Sequence, residues 1–179
     1  MILDQSENNK RIAKNTLLLY FRMFFTMAVT LYTSRVILKA LGVEDFGIYN
    51  VVAGIVTLFS FFSGALSSAA SRFISFELGS NNTSYLSKVF SAIFIIHLLF
   101  SVVVVCFAET IGLWVVNCKL TIPPERIFAA HVVYQFSVFS CIVGIMQIPL
   151  NAMIIAHERL GIYAYMSICE VIGLSLIHI

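Results

Sequence analysis

Arg22 is the residue with the clearest chemical potential, because its guanidinium stands inside a long apolar run at residues 16–40. A charge in the middle of a membrane helix costs about 2.5–3.5 kcal/mol on insertion scales, so it normally faces a water-filled cavity or a partner. Three hydroxyl groups fall on the Arg22 side of such a helix, within about 80° of one another; they belong to Thr26, Thr30 and Thr33. This polar stripe predicts a hydrophilic cavity where the cation holds an anion such as phosphate.

A second interpretation of the same stripe stays open. The long side chain of Arg22 could extend to the inner headgroups and keep its charge in water. The threonine hydroxyls could bond the backbone carbonyls of their own helix. The sequence gives the two interpretations equal weight.

Further candidate cavity residues lie along the chain. Arg35, near the outer end of the same run, either reaches the outer headgroups or contacts an anion at the cavity mouth. Asn50 could line a cavity in the next run. Gln147 and Asn151 share one polar face of a later run, where Pro149 predicts a kink about one turn earlier. Ordinary hydrogen bonding between helices explains that face nearly as well.

Three other ionisable residues lie within or near apolar runs, namely His97, Glu109 and Glu170. A proton relay could use such residues, but each is alone in its stretch of sequence. A packed helix residue is the simpler interpretation of His97, and an interfacial position that of Glu109.

Motifs for bond-making chemistry are missing from the sequence. The four cysteines form no CxxC pair, and there is no nucleophile elbow, phosphate-binding loop, metal-ligand spacing or pair of catalytic carboxylates. We therefore expect no enzyme activity, no metal and no cofactor.

Composition defines the class of protein. Hydrophobic residues make up 60% of the 179 positions and charged residues 11%. Soluble domains average about 45–50% apolar and about 25% charged residues. So few charges cannot coat a globule in water, whereas a surface facing the lipid bilayer needs no such coat. The net charge of +2 is too small to indicate a nucleic-acid partner.

Long apolar runs predict an all-α membrane protein with about five transmembrane helices, because about 20 apolar residues span a bilayer core. After a cytoplasmic tail at residues 1–14, the bundle occupies residues 15–179. Its spans are expected at about 16–40, 46–71, 89–116, 127–151 and 160–179. Gly42 can end the first helix and Asp45 can cap the second.

Orientation follows from the lysines and arginines, which favour cytoplasmic segments. With the N-terminus inside, six of them lie in inner segments: Lys10, Arg11, Lys14, Arg72, Lys88 and Arg159. Four lie in outer segments: Arg35, Lys39, Lys119 and Arg126. The modest bias predicts a cytoplasmic N-terminus. Because the fifth run has no polar exit, we expect an N-terminal fragment of a longer protein.

The stretch SRVILKALGVEDFGIYNVVAGIVTLFSFFSGALSSAASRFISFELG at residues 34–79 resembles the N-terminal region of bacterial polysaccharide transporters. These are lipid-linked oligosaccharide flippases of the superfamily that also contains multidrug and toxin extrusion transporters. The matching features are listed in order: Ser34-Arg35, Leu41-Gly42, an acid at Glu44 or Asp45, Phe46-Gly47-Ile48-Tyr49, a second helix rich in small residues, and Ser71-Arg72-Phe73. The resemblance extends over most of the chain and indicates the superfamily better than the substrate.

The resemblance implies two six-helix bundles around a central cavity, of which this chain would form part of the first. The cavity cations that meet a lipid diphosphate would correspond to Arg22 and Arg35, although no short motif fixes that correspondence. The sequence departs from the family by ending in the fifth span, so we expect no transport from this polypeptide alone.

We therefore expect a flippase that moves a polyprenyl-diphosphate-linked oligosaccharide across the bacterial cytoplasmic (inner) membrane. It would serve surface polysaccharide or O-antigen biosynthesis and hence lipopolysaccharide. The lipid-linked oligosaccharide and the bilayer would be its partners, with polysaccharide-assembly proteins as further candidates. The alternatives are a cation-coupled multidrug exporter of the same superfamily and a structural membrane subunit that transports nothing.

Overall fold

The computed structural model describes the backbone of residues 2–80 and 83–177, and within them the side chains of 9, 10, 12–59, 61–80 and 84–173. These residues form helices α1 (Ile2–Thr57), α2 (Phe61–Gly79), α3 (Thr83–Phe107), α4 (Leu113–Cys118), α5 (Ile127–Ala156) and α6 (Leu160–Ile177). A 3-10 turn joins α1 to α2, a π turn at Ala108–Gly112 joins α3 to α4, and a 3-10 turn at Pro124–Arg126 precedes α5. No strand occurs in the described residues, so the all-α prediction is confirmed.

Three of the described helical segments are long and apolar enough to cross a membrane: Ile12–Thr57, Ser84–Cys118 and Pro124–Ala156. The chain thus has the helices of a membrane protein. The first segment holds the predicted first span and the beginning of the second. Leu160–Gly173, within the predicted fifth span, is apolar but shorter. Residue 1 of the predicted tail and residues 178–179 of the fifth span lie outside the described residues.

The helix boundaries differ from the predicted second span at residues 46–71. Helix α1 continues to Thr57, the 3-10 turn follows, and α2 then runs to Gly79. The helix therefore extends eight residues beyond the predicted end, because Arg72 and Glu77 are compatible with a helix although they interrupt the apolar run. Pro149 is buried within α5, which continues through it to Ala156.

Gly42 breaks α1 with φ 78° and ψ 173°. This backbone region is essentially closed to residues with a Cβ and costs about 1–3 kcal/mol when it is forced. The predicted break between the first two spans therefore lies at the expected glycine.

Gly42→Ala should lower the free energy of unfolding by about 1–3 kcal/mol. Gly47→Ala is the matched control, because Gly47 is helical and nothing lies within 4 Å of the added Cβ. The control should be neutral or stabilising by up to about 1 kcal/mol. Reversible unfolding in mixed detergent micelles measures both. Equal effects of the two substitutions would show that the Gly42 conformation is not required.

The chain divides into two compact units, Met1–Val43 together with Glu158–Ile179, and Glu44–His157. We call them the terminal unit and the central unit. The terminal unit contains the first part of α1 and helix α6. The central unit contains the end of α1 and helices α2 to α5.

In the central unit α2, α3 and α5 pack against one another. One core cluster joins α2, α3 and α5 through Ala70, Ile74, Ile93, Ile148 and Ala152. A second cluster joins the end of α1, the π turn, α4 and α5; its buried residues are Val52, Val56, Ala108, Val116, Ala130, Tyr134 and Val138. Both α2 and α5 run antiparallel to α3, since later residues of α3 meet earlier residues of each partner.

Tyr134 is the key packing residue of the second cluster. It is fully buried, and its hydroxyl donates to the carbonyl of Ala108 at 2.7 Å. A π turn replaces i→i+4 bonds by i→i+5 bonds, which disturbs the regular backbone pairing at that point. Tyr134 supplies a donor there and also packs directly onto Gly112, where the absence of a side chain leaves room for the ring.

Candidate functional site

Arg22 lies in the terminal unit, on the first part of α1, with its side chain half-buried. Its guanidinium carbon is 4.3 Å from the ring centroid of Tyr163, on α6. One turn earlier on α1, Leu18 is the nearest neighbour of Gly161, with its Cδ1 3.9 Å from an ideal Cβ at that glycine. Leu18 and Arg22, one turn apart on α1, thus both lie against α6.

The tyrosine ring occupies the flat face of the guanidinium, and such a contact contributes about 0.5–2 kcal/mol. The contact itself uses none of the hydrogen-bond donors of the guanidinium. The Nε atom of Arg22 is shielded from solvent and has no hydrogen-bond acceptor among the described residues. An unmet buried donor costs about 1–3 kcal/mol, and more when it is charged. The arrangement therefore favours an acceptor at the guanidinium edge.

Phosphate oxygens suit that edge, because the planar arginine fork binds them with two parallel hydrogen bonds. A guanidinium is a cation with five N–H donors and no acceptor, so Arg22 can neutralise an anion and fix its orientation. Its chemistry is binding and orientation.

Two threonines of the stripe, Thr26 and Thr30, form hydrogen bonds to backbone carbonyls of their own helix, as the second interpretation of the sequence predicted. Thr26 donates to the carbonyl of Met23 at 3.0 Å, and Thr30 donates to the carbonyl of Thr26 at 2.8 Å. Their hydroxyl oxygens can still accept a hydrogen bond from a ligand hydroxyl. Thr33 is half-buried and Arg35 is exposed, both on α1 in the same unit.

The other predicted site residues lie in the central unit. Asn50 is exposed, and its amide donates to the carbonyl of Phe46 at 2.7 Å in its own helix. Gln147 and Asn151 are half-buried on α5. The structure therefore brings Arg22 to Tyr163 but does not gather the eight predicted residues within one unit.

Glu109 is alone in its stretch of sequence, but in the structure it has a polar neighbour. Its carboxylate accepts a hydrogen bond from the amide of Gln135 at 3.3 Å. The π turn places Glu109 opposite α5, where residues distant in sequence become neighbours. Both side chains are exposed, which keeps the pair at the surface of the central unit.

Two further polar pairs tie the central unit together near the same end of α5. Arg126, one of the cations in the predicted outer segments, forms an ion pair with Asp45. His131 Nε2 and Asn117 Oδ1 are 2.8 Å apart, which makes a hydrogen bond. Both side chains of the ion pair are about one-third exposed, so its effect on stability is small.

Tyr163 is the functional candidate that sequence reasoning missed. An aromatic residue in an apolar helix carries no signal that it faces a cation about 140 positions away in the chain. Within the described residues no group of three or more His, Cys, Asp or Glu side chains could hold a metal ion. All four cysteines are unpaired thiols.

Comparison of the chain with protein-family models, curated proteins and solved structures gives no match. The resemblance at residues 34–79 therefore stands on its residues alone.

Proposed function

We propose that the chain is part of a membrane transporter that moves a polyprenyl-diphosphate-linked oligosaccharide across the bacterial cytoplasmic membrane. The N-terminus lies in the cytoplasm, and the transported oligosaccharide is used for the biosynthesis of surface polysaccharide, including O-antigen. The observation that carries the proposal is the half-buried guanidinium of Arg22, with its face on Tyr163 and its Nε donor unmet. The resemblance at residues 34–79 narrows the class of transporter.

The diphosphate is the part of this substrate that Arg22 recognises. A diphosphate bears negative charge on oxygens that match the arginine fork, and it must leave water to cross the membrane. A fixed guanidinium replaces part of the lost hydration. The ring of Tyr163 holds the guanidinium plane, so less side-chain entropy is lost on binding.

The sugar hydroxyls have a separate set of contacts. Thr26 and Thr30 use their protons within α1, so their oxygens act as acceptors toward a substrate hydroxyl. A stripe of acceptors beside one cation suits a molecule that is anionic at one end and rich in hydroxyls at the other. A hydrophobic drug would use neither feature.

A cation-coupled multidrug exporter is the second candidate, and Glu109 is the observation that favours it. This carboxylate belongs to the apolar segment Ser84–Cys118, where an acid is rare and usually functional. A structural subunit without transport activity is the third.

One reconstitution separates the three. The full-length transporter that contains this chain is purified and placed in bacterial phospholipid vesicles with a fluorescent polyprenyl-diphosphate oligosaccharide in the inner leaflet. A membrane-impermeant quencher then reports arrival in the outer leaflet, and a cationic dye in the lumen reports drug export. We expect faster arrival of the lipid than in protein-free vesicles and unchanged dye retention. Dye export alone would support the exporter, and no movement of either probe would contradict both transport functions.

A further inference from the structure

His97 is the most deeply buried ionisable side chain with an unmet polar atom in the described part of the chain. It is 2% exposed, near the middle of the apolar segment Ser84–Cys118. Its Nδ1 is 2.7 Å from the carbonyl oxygen of Ile93. A carbonyl can only accept, so Nδ1 carries the proton and the neutral ring presents a lone pair at Nε2. Nε2 is shielded from solvent and has no partner among the described residues.

The surroundings of His97 are apolar. One turn before it, Ile93 packs into the cluster with Ala70 and Ile148. One turn after it, Phe100 meets Phe62 with ring centroids 5.8 Å apart. The antiparallel register between these contacts places the middle of α2 and the middle of α5 at the level of the imidazole. Ser101, also buried, donates to the carbonyl of His97 and so does not reach Nε2.

Apart from the Cys141 thiol at the middle of α5, the ionisable side chains of the packed helices lie toward the helix ends. On α2 they are toward the end that meets the beginning of α3, and on α5 His131 and Tyr134 are toward the end that meets the π turn. They are Arg72 and Glu77 on α2, and His131, Tyr134 and Cys141 on α5; the end of α1 within this unit has Glu44, Asp45 and Tyr49, and α3 with its π turn has Tyr85, Lys88, Cys106 and Glu109. No carboxylate among them is placed to pair with His97.

We propose that His97 Nε2 is a proton-binding site, and that taking up the proton loosens the packing of α3 against α2 and α5. The lone pair accepts a proton from a hydronium ion, which leaves water and an imidazolium. That imidazolium has a second N–H donor and a full charge in an apolar core. A buried charge without a partner is very unfavourable, so the helices must separate until water reaches Nε2.

An ionisable residue in the middle of a membrane segment is typically part of a proton or ion pathway. Because His97 lies where α3 packs against α2 and α5, its protonation would separate α3 from both helices. Acid favours the opened packing, and neutral pH favours the closed packing described above. This inference does not depend on the substrate of Arg22.

Nitrogen NMR of the full chain, with labelled histidine in lipid nanodiscs, tests the first half of the proposal. His97→Gln identifies the His97 signals by their loss. We expect the neutral ring to carry its proton at Nδ1, and acidification to add a second proton at Nε2 while the protein is still folded. A proton at Nε2 in the neutral form, or a ring that stays neutral under all acidic conditions in which the protein is folded, would overturn the proposal.

Amide hydrogen exchange over residues 93–101 tests the second half. After correction for the intrinsic pH dependence, acid should raise exchange at least about tenfold in the wild-type protein, which is about 1.4 kcal/mol of opening. The rise should be absent in His97→Gln, because the glutamine amide takes up no proton. His157→Gln is the matched control, since His157 is exposed after the end of α5, and it should keep the acid response. An acid response that survives in His97→Gln would contradict the assignment.

Discussion

Replacing Arg22 with alanine in the full-length transporter that contains this chain should abolish export of surface polysaccharide while the protein stays at its normal level in the membrane. Loss of one partner from a buried charge pair costs about 2–5 kcal/mol, which is about 30-fold or more in affinity for the diphosphate. The fold should tolerate the change, because it removes an unmet donor along with the contact to Tyr163. Polysaccharide on the cell surface and protein in the membrane fraction are measured together by antibody.

Two control substitutions distinguish a binding site at Arg22 from a general effect of positive charge. Arg22→Lys keeps the charge but loses the planar fork, so export should be reduced rather than abolished. Lys39→Ala removes an exposed cation from the same helix and should leave export unchanged. Normal export by Arg22→Ala at a normal protein level would contradict the role of Arg22. An equal loss of export in Lys39→Ala would show that export depends on the net charge of the helix and not on a binding site at Arg22.

Gly112→Ala should destabilise the central unit by about 3 kcal/mol, at the upper end of the usual cost of overpacking. An ideal Cβ at Gly112 would lie 2.9 Å from Cζ of Tyr134 and closer still to its hydroxyl oxygen. Tyr134 is fully buried and cannot swing aside without disturbing its cluster. Unfolding in mixed detergent micelles measures the loss, and Gly144→Ala is the control because nothing lies near its added Cβ.

A double-mutant cycle with Tyr134→Phe shows whether the clash is the cause. Tyr134→Phe alone should cost about 1–3 kcal/mol, because the carbonyl of Ala108 loses its donor. In the phenylalanine background Gly112→Ala should cost at least about 1 kcal/mol less than in the wild type, since the hydroxyl is gone. Additive effects of the two substitutions would show that Gly112 and Tyr134 do not meet as described.

Much of the helical order is readable from sequence, because apolar runs long enough for a bilayer have few alternatives to a helix. Helices α5 and α6 begin at the residues where the apolar runs of the predicted fourth and fifth spans begin. Gly42 marks a break in α1 with a backbone conformation that favours glycine. The predicted second span ends at residue 71 while helix α2 continues to Gly79, because a hydropathy pattern reports where lipid can lie and not where the helix ends. The π turn has no residue pattern of its own, and so it was not predicted.

The site was predictable only as far as one helix determines it. Arg22 and its threonine face follow from a period of 3.6 residues along a single segment. Tyr163 and the Glu109–Gln135 pair depend on which helices become neighbours, and a single sequence without a packing register does not contain that information. His97 could be recognised as intramembrane, but its unmet Nε2 appears only when the carbonyl of Ile93 takes the other nitrogen.

Binding of polyprenyl diphosphate to purified protein in nanodiscs tests the role of Arg22 most directly. Native mass spectrometry counts bound lipid for the wild type, Arg22→Ala and Lys39→Ala, with neutral polyprenol as the comparison ligand. The wild type and Lys39→Ala should bind the diphosphate and prefer it to the alcohol, and Arg22→Ala should lose that preference by about 30-fold or more, or at least about 2 kcal/mol. Equal preference for the diphosphate in all three proteins would contradict the account.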